Sequence, residues 1–171
     1  MNLPWRYIII GAPSYDAGRV FVYHGSAAGP SLSPDFMAKV SKGPAELGAS
    51  VAGDMNGDGF GDVVVGAPRV GDTANPAEGS GRVYFGGAHG LGSQPAFGVT
   101  ETHANALFGG SVAGTGDVNG DGFPDVIAGG IGLDNAAQFV ANAGGAEVIL
   151  GFRTRQAIAP PASLHGVRFT D

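Results

Sequence analysis

Apolar residues along this chain gather in short runs such as Tyr7-Ile8-Ile9-Ile10, Val63-Val64-Val65 and Val148-Ile149-Leu150, set apart by glycine, proline, asparagine and aspartate. β-Branched and aromatic side chains suit a pleated surface, and turn residues on either side hold each run to strand length. The pattern predicts strands near 7–11, 19–24, 35–40, 47–53, 62–66, 81–86, 95–100, 107–114, 125–129, 145–151 and 164–169. Leu47–Gly53 and Phe108–Gly114 are apolar too, but they hold too much glycine for a helix. The chain therefore reads as all-β.

The pattern also repeats. Asp54-Met55-Asn56-Gly57-Asp58-Gly59-Phe60-Gly61-Asp62 returns as Asp117-Val118-Asn119-Gly120-Asp121-Gly122-Phe123-Pro124-Asp125, and both read D-x-N-G-D-G-F-x-D. After the first copy comes Val65-Gly66-Ala67-Pro68, which matches Ile10-Gly11-Ala12-Pro13 and, more loosely, Ala128-Gly129-Gly130. A second anchor, Gly18-Arg19-Val20-Phe21, recurs as Gly81-Arg82-Val83-Tyr84 and loosely as Gly145-Ala146-Glu147-Val148. The approximate repeats are 1–43, which is partial, 44–104 and 105–171, all within one segment of 1–171. Each full repeat carries four strand-like runs, cannot bury both faces alone, and must stack on its copies as propeller blades do.

Oxygen-bearing side chains at positions 1, 3, 5 and 9 of each loop, with glycines at 4 and 6, suit a hard cation that takes 6–8 oxygens at about 2.3–2.6 Å. An EF-hand loop begins the same way but closes with a Glu at position 12 between helices, where this chain has Val65 or Ala128 inside a strand-like run. Plain turn chemistry would account for one Asp-Asn-Gly cluster. It gives no reason for two copies that each hold three carboxylates close together, where like charges penalise one another without a cation. Two calcium loops are expected.

Phe108-Gly109, the D-x-N-G-D-G-F-x-D loops and Gly66-Ala67-Pro68 together resemble the FG-GAP repeat of the integrin alpha-subunit β-propeller and its bacterial surface relatives. The resemblance implies about three four-stranded blades, with the strand before each loop innermost and the first blade lacking that strand. It implies calcium on Asp54, Asn56, Asp58, the Phe60 carbonyl and Asp62, and again on Asp117, Asn119, Asp121, the Phe123 carbonyl and Asp125. Asn2–Tyr7 stands where the first repeat would have its loop, so no third ion is expected. The second repeat opens Leu47-Gly48 rather than Phe-Gly, and the third has Gly129-Gly130-Ile131 in place of Gly-Ala-Pro. A closed propeller takes roughly four to eight blades, so the chain reads as an incomplete propeller or an assembling segment.

Composition narrows the function. Thirty-two glycines and eleven prolines punctuate a chain that is 43% hydrophobic, which marks a packed core rather than low complexity. Six of the fifteen acidic residues are loop aspartates, so the net charge of −6 is largely ligand charge. The nine Lys and Arg are scattered and offer no phosphate-neutralising cluster, which argues against nucleic acid. The longest apolar runs are strand-sized, not membrane spans. There is no cysteine, hence no disulfide. Met1–Arg6 lacks a signal-peptide pattern, so either more chain precedes it or export takes another route.

Catalytic readings are weak. Ser50 and Ser111 lack the nucleophile-elbow context, and His24, His89, His103 and His165 lack zinc spacing. The expectation is a non-enzymatic, extracellular or cell-surface segment for adhesion or protein assembly. Its partners would be copies of itself or the rest of a longer propeller, with protein or glycan ligands. The alternatives are a structural subunit of a self-assembling ring or filament, and a carbohydrate-binding or hydrolase accessory module.

Overall fold

The computed structural model describes residues 7–16, 18–39, 48–74, 76–133 and 144–152, with backbone alone for 48–53. Among them there is no helix. Eleven strands follow in order: β1 Tyr7–Ala12, β2 Arg19–Ser26, β3 Gly29–Pro30, β4 Phe36–Lys39, β5 Gly48–Gly53, β6 Asp62–Ala67, β7 Ser80–Tyr84, β8 Phe97–Thr100, β9 Ser111–Gly116, β10 Asp125–Gly130 and β11 Gly145–Ile149. They form three antiparallel sheets. The middle one runs β5-β6-β7-β8, a complete four-stranded unit. In the first, β1 pairs with β2, which also pairs with β4 and with the two-residue β3. The third runs β11-β10-β9. The strand expected at 164–169 lies outside the described residues.

β6 explains how the sheets stack. Every residue of Asp62–Ala67 is buried, because successive side chains of a strand point to opposite faces and both faces here are covered. Val63, Val65 and Ala67 pack with Val20, Val22 and Ala38 of the first sheet. Val64 points the other way, joining Val83 with Val126 and Ile149 of the third sheet. An uninterrupted valine run is what a strand sandwiched between two sheets requires. β1 shows the contrast: Ile9 packs toward the middle sheet, whereas Ile8 and Ile10 stay 46% and 48% exposed.

One sequence expectation is corrected. The run 107–114 was expected to be strand throughout, but β9 begins only at Ser111, and Phe108-Gly109-Gly110 is a tight turn. Leu107 and Gly109 take left-handed φ values of 53° and 83°, and the amides of Gly109 and Gly110 both donate to the Gly129 carbonyl. This turn is where one repeat meets the previous one. A Cβ on Gly66 would stand 2.0 Å from the Gly109 carbonyl oxygen, and one on Gly109 would stand 2.4 Å from that of Ser80. The Phe-Gly of one repeat thus seats backbone-to-backbone on the Gly-Ala of the repeat before, where only glycine fits.

The recurring anchors do not share one register. By sequence Gly145 aligns with Gly81, yet Gly145 pairs with Gly130, and the position matching Gly130 in the middle sheet, Ala67, pairs with Ser80. The anchor has slipped by one residue. It slips by two in the first sheet, where Gly11 pairs with Val20 while the matching Gly66 pairs with Gly81. Hairpin geometry, not textual likeness, sets which residues stand opposite.

Candidate metal centres

Both acidic loops connect an edge strand of a sheet to its neighbour, β5 to β6 and β9 to β10, and both fold alike. The glycines at positions 4 and 6 are left-handed in each: Gly57 and Gly59 at φ 68° and 91°, Gly120 and Gly122 at φ 77° and 91°. At Gly59, Gly120 and Gly122 an added Cβ would meet nothing within 4 Å, so conformation rather than space calls for glycine there.

In the first loop the Asp54 carboxylate accepts from the amides of Asp58 (3.0 Å) and Gly59 (2.7 Å). The Asn56 side-chain oxygen accepts from Asp58 N, its amide nitrogen donates to Asp58, and Asp58 accepts from Phe60 N (2.9 Å). The second loop repeats these bonds and adds one from Gly120. Asp117 accepts from Gly120, Asp121 and Gly122, Asn119 bonds Asp121 both ways, and Asp121 accepts from Phe123 N (2.9 Å).

The ninth residue is different in kind. Asp62 and Asp125 are fully buried. Asp62 accepts from Met55 N (2.7 Å) and, across the sheet, from Gly86 N (2.9 Å). Asp125 accepts from Val118 N (2.8 Å) and Gly151 N (2.8 Å). Each therefore closes its own loop and ties it to the end of the third strand. Burial pushes the Asp62 carboxyl up to about 6; the amides of Gly86 and Met55 work against this, and the charges of Asp58 and Asp54 add to it.

The structure thus brings Asp54, Asn56, Asp58, Phe60 and Asp62 into one turn, and Asp117, Asn119, Asp121, Phe123 and Asp125 into another. Among the described residues no three acidic or histidine side chains converge as they would around a metal; the side-chain oxygens are turned onto the loops' own amides. The donor chemistry still fits a hard dication. An ionised carboxylate offers about four acceptor sites, the amide bonds above leave some of them free, and a cation would relieve the repulsion that Asp62 feels.

The two loops differ in cover. Met55 is fully buried and Asn56 is 4% exposed, whereas the matching Val118 is 57% exposed and Asn119 is exposed. The third sheet lies over the first loop. Sequence reasoning missed Gly86 and Gly151, whose only signal is a glycine closing the third strand of each repeat. It also missed Tyr7, which holds the place of Asp62 in the first repeat and lays its ring 3.3 Å from where a Cβ of Gly61 would stand. Burial raises the Tyr7 phenol above its ordinary value, with the charges of Asp62 and Asp58 adding to it.

Elsewhere, His24 Nδ1 lies 3.3 Å from Asp35 Oδ2. Ser31 donates to that same carboxylate oxygen rather than to the imidazole, so the three do not form a nucleophile-base pair. The Ser31 bond, then the His24 amide, hold the Asp35 carboxyl below its usual range.

Residues 48–85 match the FG-GAP repeat. The chain is 35% identical over 132 residues, 73% of its length, to integrin alpha pat-2 of Caenorhabditis briggsae, and 34% identical over 142 residues, 74% of its length, to integrin alpha-E of Homo sapiens. It is also 34% identical over 140 residues, 71% of its length, to the phosphatidylinositol-glycan-specific phospholipase D of Bos taurus. The matched parts make up 10%, 12% and 16% of these relatives, so the chain spans only about a tenth to a sixth of their length. Stacked antiparallel sheets joined by acidic loops, with a Phe-Gly turn seated on a Gly-Ala strand end, define partial propeller blades. They are FG-GAP repeats of the integrin-alpha-like type.

Proposed function

We propose that this chain is a non-enzymatic, calcium-binding propeller segment of a secreted or cell-surface protein, used for adhesion or protein assembly. The observation that carries the reading is the duplication of one loop geometry. Two nine-residue loops with the same acidic positions take the same left-handed glycines and the same internal bonds, in repeats similar to those of integrin alpha subunits. Loops that supply their own oxygens from one short connection suit a structural ion taken up where calcium is millimolar. The ligand sets proposed are the two groups of five residues named above, and the repeat boundaries near 44 and 105 belong to the same reading.

Calcium counted by native mass spectrometry should be two per chain, falling to one in Asp58→Ala and to one in Asp121→Ala, since the loops share no ligand. No bound calcium in the unsubstituted chain at millimolar concentration would sink the assignment.

A second reading, assembly with other copies or further blades, is favoured by the first sheet. Ile8 and Ile10 occupy the places of the buried Val63 and Val65, yet they stand 46% and 48% exposed, and among the described residues no sheet lies against them. An apolar face and an unpaired strand edge recruit a partner. Light scattering should show species heavier than one chain. A monodisperse monomer with cooperative unfolding would refute assembly and leave the calcium reading untouched. The phospholipase relative keeps an accessory role beside an enzyme in view, and binding on a glycan array would favour it.

A further inference from the structure

The two loops share no ligand, but they are joined by one strand end. The Asp125 carboxylate, at position 9 of the second loop, accepts from Gly151 N at 2.8 Å. The next amide, Phe152 N, donates to the Met55 carbonyl at 2.7 Å, and Met55 N donates to Asp62, at position 9 of the first loop, at 2.7 Å. A continuous path thus runs from the last residue of one loop to the last residue of the other through a single dipeptide. Gly151 is packed against both loops with no room for a side chain: a Cβ there would lie 2.4 Å from the Pro124 carbonyl oxygen, 2.8 Å from the Phe123 Cβ and 2.9 Å from the Met55 carbonyl oxygen. The Phe152 ring is held between Phe85 and Phe97 of the middle sheet, with centroids 6.1 and 5.7 Å away.

A second contact runs beside the first. The Phe123 ring lies over Gly57, at the centre of the first loop, so closely that a Cβ on Gly57 would stand 2.5 Å from its Cε1. Phe123 is also the residue whose carbonyl belongs to the second loop's proposed ligand set. An ion in the second loop would fix the Phe123 backbone and with it the ring that walls the first loop.

We infer that the two cation sites are energetically coupled, with Phe123 and the Gly151-Phe152 strand end as positioning residues for the first loop. This rests on the calcium reading above. Filling the second loop holds Phe123 and Asp125 still, so the first loop starts nearer its bound shape and loses less freedom when its own ion arrives. Linkage then requires that an ion in the first loop favour the second by the same factor.

Calorimetric calcium titration of the full chain tests this. Asp121→Asn isolates the first site and Asp58→Asn the second. The product of the two stepwise association constants in the unsubstituted chain, divided by the product of the two isolated constants, gives the coupling factor, expected to be roughly 5 or more. Phe123→Gly keeps the carbonyl but removes the ring, and should bring the factor toward one while both sites still fill; Phe123→Tyr should restore it. A factor of one in the unsubstituted chain overturns the coupling and leaves calcium binding intact. A factor unchanged by Phe123→Gly overturns the role of the ring. If Phe123→Gly does not fold, the factor measured with Phe123 in place still decides the coupling. Absence of any calcium heat overturns both readings.

Discussion

Excess chelator should lower the melting temperature of this protein by roughly 10–20 °C relative to 1 mM calcium. A site with a dissociation constant near 10 μM gains about 2.7 kcal/mol at that concentration, and two such sites gain about twice as much; a domain of this length moves by about 2–4 °C per kcal/mol. The effect is on stability, not on shape, because each loop's donors lie within one connection and clamp the two strands that flank it. The same experiment has a pH signature. In chelator the folded Asp62 carboxyl titrates at about 6, whereas the unfolded group titrates near 3.9. The folded state therefore holds the proton more tightly, and its contribution to stability falls as pH rises from about 4 to about 6. With calcium bound the sign reverses, because the ion favours the ionised form and protons compete with it. A melt that ignores chelator at neutral pH would sink the calcium reading. A melt in chelator that rises from pH 4 to pH 6 would show that Asp62 is not the group setting the trend.

Much of this was legible in the residues, and the misses have physical causes. Val63-Val64-Val65 announced a strand, though not that both its faces are covered, and the paired D-x-N-G-D-G-F-x-D loops announced two equivalent turns whose glycines let the backbone curl. Phe108-Gly109 looked like the start of a strand because apolar and small residues continue into Ser111. The turn there exists only because Gly66 of the previous repeat lets the two backbones touch, which is a contact between repeats rather than a local preference. Met55 and Val118 are both apolar residues at the second position of their loops, so pattern alone treats them alike. One is fully buried and the other 57% exposed, since among the described residues a sheet is stacked over the first loop and none over the second. Gly86 and Gly151 were silent for a similar reason. Their amides matter through cross-sheet bonds to Asp62 and Asp125, 24 and 26 residues away, and no short window holds both partners.

Phe108→Ala should cost about 3–5 kcal/mol, the usual range for truncating a fully buried phenylalanine, and should loosen the junction between the second and third sheets. Phe108 is completely shielded from solvent. Its ring packs with Ala106, Ala128 and Leu133 in the third repeat, and Val99 of β8 joins the cluster from the second. Its amide donates to the Glu78 carbonyl at 3.1 Å, and the residue bridges Gly79, so the backbone already spans the two repeats. Truncation leaves those backbone bonds in place but opens a cavity between neighbours that the Gly66–Gly109 contact prevents from closing in. Relaxation is therefore limited and the cost should sit in the upper half of the range. Phe108→Leu should recover a good part of it, since the second repeat carries Leu47 at the matching position of the sequence. Denaturant melts of the two variants, both with calcium saturating, separate packing from ion binding. A loss under about 1 kcal/mol for Phe108→Ala would mean that the Phe-Gly turn is held by its backbone contacts alone and that the ring does not fasten one repeat to the next.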